Sequence, residues 1–471
     1  MKIKNFEKLL ATGDTEARSV VLGILESALC ALDGRKAVAN AVSLEEDTLR
    51  IGHHSWDLGR KRRIIVLGAG KACNAMARGI EDKLADRITE GLVLVKKIEP
   101  EDKMSRIEVV QGGHPTPNAE GLEATRRMLA MVDEATPEDL FIVLISGGSS
   151  SLMACPVAGV TLSDEVAAAR ALLESGARIL EINAVRRHIS ETNGGRLAQR
   201  IEASGAEAVA LILSDVVQCP LKDARQGSQQ FFGTPIGPDD TTIQDALDAI
   251  DKYGLGHRIP QSIIDYLSAP DASHETPKQL GPGIRHFVLQ TPSSASEAAK
   301  QAALRSGLPA LVLTTVLEGE SREAGTFLAC VAKEIILHGR PVHPPCVLIA
   351  SGETTTKAAH ASGLGGPSQE LALGLALEID GLSGCCVVSV DTDGTDGPTD
   401  FAGGLADSTT AERARSLKLD IYGSLMRHDS TGILLALGDE LVTGNTGTNV
   451  CDLNIVYIPA QGGRRTDEAR A

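Results

Sequence analysis

The chain has 471 residues, 42% of them hydrophobic and 23% charged, which is ample for more than one buried core and ordinary for a soluble globular protein. Its formal charge of −16 argues against a polyanionic polymer as partner, and an aromatic content of 3% argues against stacking platforms for single-stranded nucleic acid. Nine cysteines never spaced CxxC, an N-terminus (MKIKNFEKLLATGD) without secretory character and no apolar stretch near ~18 residues predict reduced thiols, no membrane span and a cytoplasmic setting.

Residues 15–50 carry helix-like apolar spacing (Val20, Ile24, Ala28, Leu32) and predict an N-terminal helical layer. From residue 63 strand and helix patterns alternate. Strands are predicted at 64–67, 92–95, 107–110, 141–145 and 208–213, with helices at 72–84, 120–132 and 163–174. This alternation predicts a mostly parallel sheet with helices on both faces. The stretch SAPDASHETPKQLGPG (268–283) reads as a linker. A second alternating run follows, with strands at 287–290, 310–314, 347–350, 385–390 and 453–458. The expectation is two α/β domains, 1–270 and 271–471, with a ligand between them.

Seven polar turns follow the apolar runs: VLGAGKA (66–72), GGHPTPN (112–118), ISGGSSS (145–151), LSDV (213–216), ASGETTT (350–356), DTDGTDGPTD (391–400) and TGNTGTNVCD (443–452). Such turns at strand ends expose backbone N–H groups and hydroxyls to an anion, which a following helix start favours. The loop Gly68-Ala69-Gly70-Lys71 is not a phosphate loop of the Walker type. It resembles half of a dinucleotide fingerprint, but Cys73 stands where the third glycine belongs. A lysine at a helix start is disfavoured by the dipole unless an anion lies between them, so Lys71 is read as an anion ligand. Ser146-Gly147-Gly148-Ser149-Ser150 is read as an anion cradle, since the GxSxG elbow of a nucleophilic serine is absent. Arg186 and Arg187 point about 100° apart on a helix, so only one is expected at the site, and Arg187 is taken as the substrate's guanidinium. In the acidic loop the twelfth position is Ala402, which excludes an EF-hand. Either its aspartates are turn residues, or one or two of them hold Mg²⁺ and assist a substrate hydroxyl. Glu353 and Asp215 could join either set.

In this order the motifs VLGAGKA, GGHPTPN, LISGGSSSL, NAVRRHIS with GGRLA, LILSDV, SGETT, QELAL, TDGTDGPTDFAGG and GTNVCDL resemble the glycerate 2-kinase family (type II, MOFRL) from about residue 15 to 458. Each motif alone is common; the ordered set is specific. The resemblance implies a Rossmann-like N-terminal domain, a smaller C-terminal α/β domain, and Mg²⁺-ATP-dependent phosphorylation of D-glycerate on its 2-hydroxyl. Lys71 matches the family's important lysine; from residue chemistry, Asp393 and Arg187 join Lys71 as catalytic candidates, with Asp391 or Asp393 for metal or base work and Asp215, Asp391 and Asp396 as metal candidates. Substrate and nucleotide contacts fall to Gly68, Gly70, His114, Ser146, Gly147, Gly148, Ser149, Ser150, Asn193, Glu353, Thr354 and Lys357. The partner is a small hydroxy acid, with no nucleic acid or membrane; a homodimer stays open.

The departures from the family pattern fall on charged positions. Pro367 stands for the arginine of GGRNQE, Asn193 for the lysine of KGG, and Gln218-Cys219 for an acidic pair; Ser228–Thr234 (SQQFFGT) replaces a turn. Lys357 or Arg322 could supply a replacement cation. Three alternatives therefore stand beside the kinase: an altered enzyme on the same scaffold acting on a sugar acid or phosphate ester, a nicotinamide-dependent hydroxypyruvate reductase, and a binding protein without catalysis.

Overall fold

The structure is a computed structural model and describes residues 1–217, 233–269, 271–357 and 362–460. It divides into two compact units, Gly34–Leu289 and Met1–Asp33 with Gln290–Ala471.

The first unit begins with the helix Gly34–Ala41 and a meander, β1 (Val42–Glu45), β2 (Thr48–Ile51) and β3 (His54–Asp57), paired antiparallel. Leu44, Leu49, Ile51 and Trp56 alternate in the strands, and the chain reverses at Glu46 and Gly52, both at positive φ. The predicted helical layer over 15–50 is thus corrected only from residue 42, where a short period-2 pattern was hidden behind a helical one. Then come β4 (Ile64–Ala69), β5 (Glu90–Val95), β6 (Ile107–Gln111), β7 (Leu140–Ile145), β8 (Glu207–Leu213) and β9 (Ile284–Gln290). These six form one sheet in the order β6-β5-β4-β7-β8-β9, and the pairs β6–β5, β5–β4, β4–β7 and β7–β8 are parallel. Counted from β4, that is the order 3-2-1-4-5-6 of a Rossmann-like fold. β4 and β7 are buried along their whole length, as continuous apolar runs in a doubly covered sheet should be.

The second unit adds β10 (Ala310–Leu317), β11 (Cys346–Gly352), β12 (Cys386–Asp391), β13 (Gly403–Asp407), β14 (Glu440–Leu441) and β15 (Asp452–Ile458) in the order β10-β11-β15-β12-β13-β14. Only β10–β11 is parallel; β15 enters between β11 and β12 antiparallel to both. The sheet is therefore mixed.

Two boundaries move. The strand predicted at 287–290 is β9, beside β8 in the first sheet, so the division falls after residue 289 rather than at 270. The helix Thr15–Ala31 belongs to the second unit: Val21, Leu22, Leu25 and Leu29 share a core with Val347, Ile349, Val388 and Ile455. Within that unit Arg18, fully buried, donates to Asp407 and Asp439. No described helix is long and apolar enough to cross a membrane.

Candidate functional site

In the 3-2-1-4-5-6 sheet the order reverses between β4 and β7, and polar turns at their carboxyl ends line the crevice where such sheets bind ligands. The two turns are tied together. The Lys71 N–H donates to the Gly147 carbonyl at 2.9 Å, and the Ala72 N–H donates to Ser146 Oγ at 3.0 Å. At Gly68 a Cβ would stand 2.7 Å from the Leu144 carbonyl oxygen, so the close approach of β4 to β7 requires glycine there. Gly148 has φ +85°; a Cβ on it would lie 2.8 Å from His114 Cδ2 and 3.4 Å from Lys71 Cγ. Three turns therefore meet around Gly148: the one after β4, the one after β7 and GGHPTPN. Asn118 organises the last of these, its Oδ1 accepting from Gly113 N–H at 2.8 Å and Gly121 N–H at 3.0 Å while it caps the helix Ala119–Asp133. Ser149 is buried and opens the short helix Ser149–Leu152.

Cys73, at the third fingerprint position, is buried, with Sγ 3.3 Å from the Leu144 carbonyl; burial pushes its thiol up to about 12. A packing thiol thus fills the space that a third glycine would leave open.

Asn193 is buried and joins this cluster: its Nδ2 donates to the Ser150 carbonyl at 3.3 Å and to Ser190 Oγ at 3.1 Å. The two arginines diverge as a helix requires, but in the opposite sense to that expected. Arg187 Nη1 is 2.9 Å from Asp239 Oδ1, a buried carboxylate, and its guanidinium packs over Gly233. Arg186 Nη2 instead donates to Ser151 Oγ at 2.9 Å. Arg187 is thus held by a carboxylate of its own unit, and Arg186 is the arginine on the serine turn. Burial lowers the pKa of Arg186, opposed by Glu165. Burial raises Glu165 to about 7, with Arg186 acting in the other direction. Asp215, half-buried, follows β8. Gln218 and Cys219 lie outside the described residues, as does most of 228–234.

In the second unit, the register aligns Asp452 with Gly352 on one side and with Asp391 on the other. Asp452 is buried and held far above the ordinary carboxylate range, first by burial and then by the charges of Asp391, Asp396 and Glu353; the Thr354 N–H, 3.3 Å away, acts in the opposite sense. Sequence reasoning quoted Asp452 within GTNVCDL without nominating it. Only the antiparallel entry of β15 beside Asp391 reveals its place.

Asp396, nominated as a metal ligand, is engaged as a helix cap. Its Oδ1 accepts from Ser368 N–H at 3.0 Å and its Oδ2 from Gln369 N–H at 2.9 Å, so it caps the helix Pro367–Glu378 from another loop. Burial nevertheless raises it to about 7 against these bonds. Asp393 Oδ1 accepts from the Thr395 N–H and hydroxyl, each at 2.7 Å. Its N–H in turn donates to Asp391 Oδ1 at 3.0 Å. Thr354 is buried and its Oγ1 accepts from Ser321 Oγ at 3.1 Å; Glu353 and Lys357 are exposed. Arg322 is bound to Glu323 at 2.8 Å and to Met426 Sδ at 2.8 Å, and acts electrostatically on Glu370.

The fold is thus a two-unit α/β protein, one sheet Rossmann-like and one mixed, with polar turns gathered at the ends of strands in both. Residues 20–268 match the domain of unknown function DUF4147, and residues 346–452 match the MOFRL family. A glycerate 2-kinase of Pyrococcus horikoshii is 36% identical over 95% of this chain and 99% of its own. The crystal structure of glycerate kinase from Thermotoga maritima superposes with a TM-score of 0.77 at 35% identity, covering 93% of this chain and 99% of that one. A protein of Agrobacterium vitis, 38% identical over 84% of this chain and 99% of its own, bears the provisional name of a hydroxypyruvate reductase. The chain belongs to the glycerate 2-kinase family with a C-terminal MOFRL domain.

Proposed function

We propose that the protein is a cytoplasmic kinase that phosphorylates glycerate, with ATP as donor and the 2-hydroxyl of D-glycerate as acceptor. The observation that carries this reading is the meeting of Lys71, His114 and the Ser146–Gly148 turn at the switch point of a Rossmann-like sheet. In this reading the Lys71 ammonium neutralises a carboxylate or phosphate, and the N–H groups and hydroxyls of Gly148, Ser149 and Ser150 complete the anion's hydrogen bonds. The substrate 2-oxygen forms a bond to the γ-phosphorus, the bond to the β,γ-bridging oxygen breaks, and ADP leaves with that electron pair. The hydroxyl proton passes to a carboxylate, assigned to Asp393. The carboxylates of Asp391 and Asp452, register partners on neighbouring strands, form an all-oxygen donor set of the kind that suits Mg²⁺. Asp452 and Asp391 would hold that ion, which when bound neutralises charge on the transferring group.

The test is ADP release by the full-length protein with Mg-ATP and D-glycerate, with the product resolved as the 2- or the 3-phosphate. Lys71→Ala and Asp452→Asn are expected to lower kcat/KM at least 100-fold. No glycerate-dependent ADP from the unaltered protein would remove the proposal. A second reading, an altered enzyme on this scaffold that does not use ATP, is favoured by Pro367 and Asn193, uncharged at positions where the family resemblance implies Arg and Lys. It predicts thermal stabilisation by hydroxy acids and none by Mg-ATP. The reductase reading predicts hydroxypyruvate-dependent loss of the nicotinamide absorbance band, and its absence ends that reading.

A further inference from the structure

Away from the acids around Asp452, the second unit carries a mixed cluster that the kinase reading does not use. Glu320 immediately precedes the helix Ser321–His338, Glu370 lies in the first turn of the helix Pro367–Glu378, and His428 sits in the turn between the helices Ile421–Met426 and Ser430–Leu437. One ligand atom from each lies within 4.8 Å of the others.

We propose that Glu320, Glu370 and His428 form a binding site for a divalent transition-metal ion, with Zn²⁺ as its probe. The geometry suits a coordination shell. His428 Nδ1 and Glu370 Oε1 form a hydrogen-bonded pair 2.9 Å apart, which need open only to about 3.4 Å to place both donors at about 2.1 Å from one tetrahedral ion. An independent sign is Glu320 Oε2, which is buried and has no hydrogen-bond partner among the described residues. An ionised carboxylate oxygen in that state is costly unless a cation meets it. The carboxylates of Glu320 and Glu370 thus approach each other and the His428 imidazole at coordination range. Arg322 acts electrostatically on both Glu320 and Glu370 but is bound to Glu323, and the group of Glu320, Glu323, Glu370 and Arg322 keeps net negative charge. One imidazole with two carboxylates favours Zn²⁺ or Mn²⁺ over Mg²⁺, which prefers oxygen alone.

The three ligands come from segments already drawn together. Leu364 N–H donates to Asp429 Oδ1 at 3.2 Å, Thr431 N–H to the Leu364 carbonyl at 3.0 Å, and Glu320 bridges to Thr355 of the SGETTT turn. The ion would therefore clamp the turn bearing His428, the start of the helix bearing Glu370 and the SGETTT turn.

The full-length protein, stripped with EDTA and desalted, is titrated with Zn²⁺ against a chromophoric chelator. One equivalent is expected to bind here, with at least ten-fold weaker uptake in Glu320→Gln and His428→Gln. Asp452→Asn should leave this uptake unchanged, separating the site from the other acids. Zinc-edge X-ray absorption is expected to report nitrogen and oxygen neighbours near ~2.0–2.1 Å, and Zn²⁺ is expected to raise the Tm of the unaltered protein but not of the two variants. Comparable melting of all stripped proteins confirms that the variants fold. Absence of stoichiometric uptake by the unaltered protein, equal uptake by both ligand variants, or loss of uptake in Asp452→Asn would each overturn the proposal.

Discussion

Replacing Arg18 by methionine tests whether the N-terminal helix is part of the unit that ends in β15. The guanidinium donates to Asp407, to Asp439 Oδ1 at 2.8 Å and to the Leu9 carbonyl at 2.9 Å, and the side chains of Arg18, Asp407 and Asp439 are fully buried. Methionine keeps most of the length but brings no cation. Asp439 retains Arg413 at 2.5 Å. Asp407 retains only neutral donors, Asp14 N–H at 3.0 Å and the Thr409 N–H and hydroxyl at 2.8 and 2.6 Å. Removing one partner of a buried pair costs about 3–5 kcal/mol, a large part of the ~5–15 kcal/mol that holds a domain folded. The pH dependence has a definite sign. Burial works against ionisation of Asp407, but Arg18 outweighs it and holds the folded carboxyl below its ordinary value of 3.8. That stability is present above the unfolded value and lost as pH falls through the folded one. In Arg18→Met burial acts on Asp407 without a cation, its folded pKa rises above the unfolded value, and the deficit shrinks as pH is lowered from 7 toward 5. Hydrogen exchange read by peptide mass spectrometry should show lost protection in β12, β13 and β15 and little change in β4 and β7. Equal loss in both sheets, no loss, or a deficit that grows on acidification would refute the reasoning.

Gly148→Ala places a Cβ against His114 and Lys71 at a left-handed backbone position. That conformation costs an L residue about 1–2 kcal/mol. A drop of a few degrees in Tm and at least a ten-fold fall in kcat/KM for glycerate are expected; wild-type kinetics would show that the meeting of these turns is not used. Burial, opposed by Arg186, raises Glu165 from the ordinary 4.5 to about 7. Its contribution is fully present below the unfolded value and lost as pH rises through about 7, roughly 3 kcal/mol in all and about 2 kcal/mol of it between pH 5.5 and 8.5. Urea melts at pH 5.5 and 8.5 should show that loss in the wild type and not in Glu165→Gln; equal slopes would contradict it. Pro367→Arg introduces the guanidinium that the family resemblance implies at this position, and an arginine on a transferring phosphoryl group contributes roughly 10³–10⁵ in rate. Turnover with Mg-ATP and D-glycerate is expected to rise at least ten-fold, with the KM for glycerate little changed; unchanged turnover would mean that this position does not reach the phosphoryl group.

What could be read from the sequence was local. Continuous apolar runs ending in Gly, Ser and Lys marked β4 and β7, and their polar turns did meet, because in a parallel sheet the carboxyl ends of neighbouring strands share one edge. What could not be read depended on pairing over long separations. Nothing in DLNIVYI states that β15 inserts antiparallel between β11 and β12, and only that insertion sets Asp452 opposite Asp391. The place of residues 1–33 was hidden for the same reason: the apolar stripe of Thr15–Ala31 fits any sheet face, and the Arg18 pair that fixes it spans nearly 400 positions of chain. Arg186 and Arg187 were separable as two directions on a helix, but choosing between them needed the location of Asp239.

The departures at positions 193 and 367 are informative because the fold around them does not depend on the charge that is missing. The helix Pro367–Glu378 is capped through the backbone N–H groups of residues 368 and 369, which donate to Asp396 whatever side chain stands at 367; a proline at the first helical position costs no internal hydrogen bond. The turn at 193 is held by the backbone N–H and the Nδ2 group of Asn193 on Ser190 Oγ, by the Ser150 carbonyl, and by glycines at positive φ at 194 and 195. A long cationic side chain at 367 would project from backbone already fixed by other groups, so its loss there changes what the turn can hold rather than how it folds. At 193 the buried Asn193 amide itself bonds Ser150 and Ser190 Oγ, so substitutions there, as at Gly68, Arg18 or Asp396, report first on the scaffold.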